Sequence, residues 1–277
     1  VSEVTVVLSD LHANGRALAS AVDDALRRGF DRLIVLGDLL TYGLDLDEVI
    51  ERVAHLRDTR GATVIVGNHD QLYFDLAAGN QGYYDTLPEW LRETVAYTLS
   101  RLDVRAFAER FDWRPSTTEG PWLFAHANPF AFGDWRYLYN PSDALEAALS
   151  LRDRSMVGGV FGHTHRRFAM AFSHHQLERN NHPSATIEAS SYDVDVARPI
   201  DEASPNVFVV NPGSVGQPRH RDRASTYLRM TRSNAQVTLE HIAVAYDSQA
   251  HVQALRDCQA MSESTREKLC SFFEPAR

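Results

Sequence analysis

Five short stretches of this sequence place imidazole, carboxylate or amide oxygen directly after a run of apolar residues. They read SDLH (Asp10, His12), GDLL (Asp38), GNHD (Asn68, His69, Asp70), FAHA (His126) and FGHTH (His163, His165). None of them contains a thiolate. That donor set suits Mn, Fe, Zn or Ni rather than a cysteine-based structural zinc. Asp10, His12, Asp38, Asn68, His126, His163 and His165 together exceed what one catalytic ion with an open position accepts. Two ions sharing one carboxylate would use them all. Such pairs, roughly 3.5–4 Å apart, clamp the attacking and leaving oxygens of an in-line displacement. Alternation along an extended FGHTH sends His163 and His165 to one side, so both can face one cleft.

Each stretch also has an ordinary structural reading. Gly-Asp after a strand is commonly a turn, with Asp capping the next helix. A lone histidine such as His126 is commonly a hydrogen-bonded core residue. These readings would have to coincide at five strand ends, which favours the shared site.

The elements that must position these residues follow from periodicity. VTVVL (4–8), RLIVL (32–36) and ATVIV (62–66) are short β-branched runs, read as buried strands. NGRALASAVDDALRRG (14–29) and LDEVIERVAHLRD (46–58) have helical spacing. Strand, helix, strand in this order implies parallel strands with right-handed crossovers. Residues 69–110 read as mostly helical, with Pro88 opening one helix. Strands are expected at 122–127, 156–162 and 167–172, with a helix over 142–152 capped by Ser142. Residues 173–205 read as a long polar surface loop or extended hairpin. His174, His175 and His182 within it are expected to be exposed and not to bind metal. Strands at 206–210, 224–230 and 236–246 precede two C-terminal helices, and this β-rich half predicts a second sheet packed on the first. Every candidate residue then sits at the carboxyl end of a strand, the edge where α/β sheets bind ligands.

The bulk numbers agree with a globular chain. It has 277 residues, 44% hydrophobic and 23% charged, enough for a sizeable core. The net charge of −9 disfavours extended nucleic acid, and the densest basic cluster, PRHRDR at 218–223, is short. Two cysteines without metal spacing fit a reducing compartment. No stretch approaches the roughly 18 apolar residues of a membrane span. The expectation is a cytoplasmic protein without a membrane partner; its oligomeric state is left open.

The ordered set SDLH, GDLL, GNHD, FAHA and FGHTH resembles the calcineurin-like metallophosphoesterase superfamily. NPGSVGQPR (211–219) is similar to a loop of its small bacterial phosphoesterase and phosphodiesterase branch. The resemblance implies an α/β fold, a four-layer αββα sandwich of two mixed β-sheets flanked by helices. It implies a single domain over 1–277 with a helical insertion about 69–110 and a polar insertion about 173–205. It assigns one metal to Asp10, His12 and His165, a second to Asn68, His126 and His163, and makes Asp38 the bridge. The cofactors would be two divalent transition-metal ions, Mn favoured among Mn, Fe, Zn and Ni. The activity implied is hydrolysis of a phosphomonoester or phosphodiester by in-line attack of a metal-bridging hydroxide, the substrate being small, with nucleotides among the candidates. His69 would face the phosphate and stabilise charge or protonate the leaving oxygen. Asn68, His69, Tyr42 and Arg219 are candidate substrate contacts, with the hydroxyls of Thr164 and Ser214 behind them.

The chain departs from the protein phosphatases of that superfamily. Thr41-Tyr42 stands where they carry an Asp-Arg pair, so the carboxylate that would orient His69 is missing, and Asp70 replaces a Glu. The aromatic segment NPFAFGDWRYLYN (128–140) follows His126 and either lines the cleft, stacking a base or aryl group, or packs as a lid. Two alternatives remain: a non-catalytic interaction scaffold on the same fold, which should have lost ligand residues, and a nuclease, which should carry a basic groove.

Overall fold

The computed structural model describes residues 2–179, 190–191, 196–220 and 222–274. The chain begins β1 (Glu3–Leu8), α1 (Gly15–Arg28), β2 (Arg32–Val35), α2 (Leu46–Arg60) and β3 (Thr63–Val64). Asn14 caps α1 by accepting from the Ala17 amide at 3.1 Å. Gly61, at φ 64°, ends α2 in the left-handed conformation that glycine adopts without strain. As the alternation of elements predicts, β1, β2 and β3 pair in parallel.

Four helices follow: α3 (Asn68–Ala77), α4 (Gly82–Thr86), α5 (Glu89–Leu99) and α6 (Val104–Arg110). The chain then runs through β4 (Ser116–Glu119), β5 (Trp122–Ala125), α7 (Pro141–Asp153), β6 (Gly158–Phe161), β7 (Phe168–Phe172) and α8 (His174–Arg179). Short strands β8 (Ser190–Ser191) and β9 (Arg198–Asp201) precede β10 (Val207–Asn211), β11 (Ser225–Ser233) and β12 (Gln236–Val244). Helices α9 (Ser248–Asp257) and α10 (Glu263–Ser271) close the described chain.

Among the described residues the strands form two six-stranded mixed sheets, β3-β2-β1-β11-β12-β9 and β4-β5-β6-β10-β7-β8. Period-two alternation builds the layers. Val6 and Leu8 pack towards α1 and α2, while Val7 points between the sheets. Likewise Trp122, Phe124, Phe208 and Val210 fill the space between the sheets, and Leu123, Val207 and Val209 pack against α7 through Leu145, Ala148 and Leu151. Strands buried on both faces explain why their sequences read as continuous apolar runs. The result is helix, sheet, sheet, helix, the four-layer α/β sandwich that the resemblance implied.

One expectation needs correction, and two segments hold elements that the sequence did not reveal. The helix at 142–152 is capped by Asn140, whose side chain accepts from the Ser142 and Asp143 amides, with Pro141 in the first turn. Ser142 lies inside the helix. Polar β4 was not foreseen, because an edge strand reading STTE lacks apolar alternation. Finally, the segment 173–205, read as a polar loop or extended hairpin, contains among its described residues α8, β8 paired with β7, and β9 paired with β12. His174 and His175 are exposed on α8, and His174 pairs with Glu178 at 2.9 Å. His182 lies outside the described residues.

Candidate metal centre

The five stretches do meet, but from two sheets. Asp10, Asp38 and Asn68 follow β1, β2 and β3 of the first sheet, whereas His126, His163 and His165 follow the parallel pair β5 and β6 of the second. The backbone turns sharply at these ends. Asp10, His12, Asp38, His163 and His165 all have φ between 47° and 65°. For non-glycine residues each such angle costs of order 1–3 kcal/mol and needs support from its surroundings. Main-chain bonds supply it: Asp10 N to Gly37 O (3.2 Å), His12 N to Asp38 O (2.9 Å) and Gly216 N to Asp10 O (2.9 Å). Two glycines allow the closest approaches. A Cβ at Gly67 would lie 2.2 Å from Asp38 Oδ1, and one at Gly162 would lie 2.0 Å from Ser9 Oγ.

All seven candidate ligands are buried. Asp10, His12, Asp38 and His165 converge on one point, and Asp38, His126 and His163 on a second. Asn68 joins the second group, its Oδ1 3.0 Å from His126 Nε2. Asp38 belongs to both: Oδ1 accepts from the His69 amide (2.8 Å), while Oδ2 lies 3.7 Å from His12 Nε2 and 3.4 Å from His126 Nε2.

The histidine rings are set by main-chain carbonyls. Nδ1 of His12 donates to Leu40 O (3.0 Å), Nδ1 of His126 to Leu36 O (2.7 Å) and Nδ1 of His165 to Gln217 O (2.8 Å). A neutral ring held this way turns the Nε2 lone pair inward. His163 is reversed: Nε2 donates to Trp135 O (2.9 Å), and Nδ1 lies 3.3 Å from His126 Nε2. Inward lone pairs then face one another, with His12 Nε2 and His165 Nε2 only 3.1 Å apart. Asp38 Oδ2 is buried without a hydrogen-bond donor. Acceptors crowded without hydrogens between them fit divalent cations, and the donor types suit them too.

Electrostatics run the same way for His12, His163 and His165 and the other way for His126, whose proton a metal would displace. Burial lowers His12 to about 3 against the pull of Asp38, and burial with the His126 charge lowers His163 to about 3. Burial also takes His165 well below its ordinary value. Burial opposes ionisation of Asp38, yet the surrounding imidazoles, His126 foremost, hold its pKa well below the usual carboxylate range. Burial works against His126 as well, but the Asp38 carboxylate raises it to about 9.

Several residues support the centre through contacts that their place in the sequence did not reveal. The Asp70 carboxylate accepts three amides, Asp38 N (2.7 Å), Leu39 N (3.0 Å) and Gly67 N (2.9 Å). In the sequence it looks like an ordinary first-turn carboxylate. Asn128 donates to Asp134 O (2.8 Å) and Arg136 O (3.1 Å), bracketing the Trp135 carbonyl that holds His163. The 211–219 loop is a strap. Ser214 Oγ donates to Asp10 O (2.8 Å), and Asn211 Nδ2 donates to Gly162 O (2.6 Å) and Thr164 Oγ1 (3.0 Å). Thr164 and Ser214 are therefore buried on main-chain and strap partners rather than offered to substrate.

The remaining candidates form the wall of the site. Tyr42 is buried, with its hydroxyl 3.1 Å from His69 Nε2. Arg219 is half-buried, its guanidinium bonded to Gln217 Oε1 (2.9 Å) and set over the Phe272 ring. The 128–140 segment packs its aromatic rings against the site. Tyr137 stacks on His163 with centroids 4.0 Å apart and planes 11° apart, and Tyr139 stacks on Tyr137 at 4.6 Å. Tyr139 is also 53% exposed, so the column of rings runs from the centre to solvent.

A profile of the calcineurin-like phosphoesterase superfamily domain matches residues 4–235. The chain belongs to this superfamily. It is 26% identical over 252 residues to an uncharacterized protein of Methanocaldococcus jannaschii, covering 89% of each chain. Its fold matches a metallophosphoesterase from Sphaerobacter thermophilus, with a TM-score of 0.71, 23% identity and coverage of 98% and 99% of the two chains. A hypothetical protein from Pyrococcus horikoshii OT3 matches with a TM-score of 0.70 at 19% identity, covering 99% of each. Among the described residues no helix is long and apolar enough to cross a membrane.

Proposed function

We propose that the chain hydrolyses a small phosphate ester at a dinuclear centre. Asp10, His12 and His165 hold one divalent ion, Asn68, His126 and His163 the other, and Asp38 is common to both. The observation that carries this reading is Asp38 itself, which belongs to both clusters and whose Oδ2, 3.7 Å from His12 Nε2 and 3.4 Å from His126 Nε2, lacks a donor. Bound there, two divalent ions, Mn in first place, would supply Lewis acidity and a water acidic enough to attack phosphorus near neutral pH.

The side chains do the rest. Asn68 is a neutral donor, so the centre keeps more positive charge for an anionic substrate than a fourth carboxylate would leave. Arg219 adds a cation at the wall of the site, where its charge acts on His12, His69 and His165. His69 lies beside the reacting group as charge stabiliser or proton donor. The exposed face of the Tyr137–Tyr139 stack favours substrates with a planar group, a nucleobase or aryl ester among them.

A scaffold that had abandoned catalysis would have no need to keep all seven donors converged. The test is hydrolysis of p-nitrophenyl phosphate and bis-p-nitrophenyl phosphate by protein reconstituted with Mn²⁺. Cleavage of either supports the reading and separates monoesterase from diesterase. Cleavage of neither with any first-row metal contradicts it.

A further inference from the structure

The His–carboxylate pairs of this site involve His12, His126 and His165. Among the described residues none involves His69, so nothing acidic orients its ring. What touches it is Tyr42, with Oη 3.1 Å from Nε2. The contact is built with some strain. Thr41 and Tyr42 both have left-handed backbone, at φ 76° and 67°, a conformation uncommon for an aromatic residue. Gly43 closes the turn, its amide bonded to His12 O (3.1 Å) and Thr41 O (2.8 Å). The Thr41 hydroxyl is anchored on Tyr73 Oη at 2.6 Å.

This turn drives the Tyr42 ring into the site, 4.6 Å from His12 and 5.0 Å from His69 between centroids. Trp90 and Phe272, each at 6.1 Å, close on it from outside. Both partners of the hydrogen bond are buried. His69 is also fixed at its backbone, the amide donating to Asp38 Oδ1. Its other ring nitrogen, Nδ1, is buried with no hydrogen-bond partner.

The direction of the hydrogen bond follows from counting donors. A buried phenol hydrogen without an acceptor is costly. If Tyr42 accepted from Nε2–H, its own hydrogen would be stranded and the Nδ1 lone pair would face no donor. If it donates to Nε2, the phenol is satisfied, the neutral ring carries its proton on Nδ1, and one N–H is left free.

We propose that Tyr42 is the positioning residue for His69, donating to Nε2 and thereby presenting Nδ1–H to the phosphate ester. This rests on the phosphoesterase reading and on His69 lying at the reacting group. In the reaction, water oxygen bonds to phosphorus as the ester P–O bond breaks. Nδ1–H hydrogen-bonds the leaving oxygen as negative charge builds on it, and that oxygen finally takes, through solvent, the proton that the attacking water releases, so the neutral ring keeps its own. The products are an alcohol and phosphate for a monoester, or an alcohol and a phosphomonoester for a diester. A hydroxyl donor thus takes up the ring contact that a carboxylate acceptor would otherwise make, with the opposite polarity, on the residue next to the position where that carboxylate would lie.

The experiment compares ¹⁵N-labelled wild type with Tyr42→Phe, both loaded with diamagnetic Zn²⁺ to equal metal content, by long-range imidazole ¹H–¹⁵N spectra. In the wild type His69 should show Nδ1 protonated and Nε2 bare, and in Tyr42→Phe the proton should move towards Nε2. Turnover should follow: kcat of Tyr42→Phe on an alkyl phosphate falls about tenfold or more, with KM within about twofold. The loss on p-nitrophenyl phosphate, whose leaving group needs no proton, should be smaller. A wild-type ring protonated on Nε2, or one tautomer shared by both proteins, overturns the role of Tyr42. Equal losses on the two esters overturn it as well. Wild-type turnover by His69→Gln overturns the premise about His69 instead, whatever the tautomer.

Discussion

His12 Nε2 and His165 Nε2 stand 3.1 Å apart, and each ring already donates from Nδ1 to a main-chain carbonyl, of Leu40 and of Gln217. Two lone pairs at that separation repel unless a cation lies between them. The metal-free fold therefore carries an unrelieved cost that metal removes. Chelation should lower the melting temperature, and restoring metal to about 100 times its Kd should return about 2.7 kcal/mol of stability. Calorimetry with and without chelator checks this; identical melting curves would contradict it.

Asp70 gives a second expectation. Its carboxylate gathers three amides, and two of them, Asp38 N and Leu39 N, belong to the shared residue's own turn. In Asp70→Asn one oxygen becomes an NH₂ that faces an amide donor. The cost should be about 1–3 kcal/mol, read by urea denaturation. Metal affinity should fall as well, because the Asp38 turn loses its anchor.

The histidine that differs from the other three separates the two metals. His163 alone presents Nδ1 inward, because Trp135 O holds its Nε2, and Asn128 holds the loop on both sides of Trp135. Asn128→Ala should weaken the second site about 10–100-fold and leave the first near wild type. Metal titration followed by calorimetry should then resolve two affinities where the wild type is tighter at the second. Equal weakening at both sites would contradict the assignment.

These supporting contacts mark where the sequence ran out. The five strand ends were legible because each couples a short apolar run to a side chain able to bind metal, and both signals are local. Their division between two sheets was not, because β1–β2 and β5–β6 have the same local pattern and only long-range pairing separates them. Asp70 and Ser214 act on main-chain atoms distant in sequence, Asn128 on carbonyls six and eight residues ahead, and polar residues in turns look alike whether or not they do so. Tyr42 is legible as a candidate substrate contact, but its bond to His69 depends on a left-handed turn that no spacing rule reveals. Asn140 could have been found: Pro141 is suited to the first turn of a helix, which makes the residue before it the cap.

Metal affinity should depend on pH with a definite sign. Before metal binds, burial raises the Asp10 pKa, with His126 pulling the other way and the Asp38 carboxylate adding to the rise. The Asp38 carboxylate raises His126 to about 9 against its burial. Both groups must lose a proton to bind metal, so protons compete below those values. His12 and His163, lowered to about 3, are already bare at neutral pH. Affinity should therefore increase from pH 6 towards 9, with proton release that scales the calorimetric heat by the buffer's ionisation enthalpy. Affinity independent of pH over that range would contradict the electrostatic description.

The central claim is that one carboxylate serves two ions. Anomalous diffraction from crystals of the Mn- or Zn-loaded protein tests it most directly. The account predicts two anomalous peaks per chain, one among Asp10, His12 and His165 and the other among Asn68, His126 and His163, both within bonding distance of the Asp38 carboxylate. A single peak, or two peaks of which one is not bound to Asp38, would contradict it.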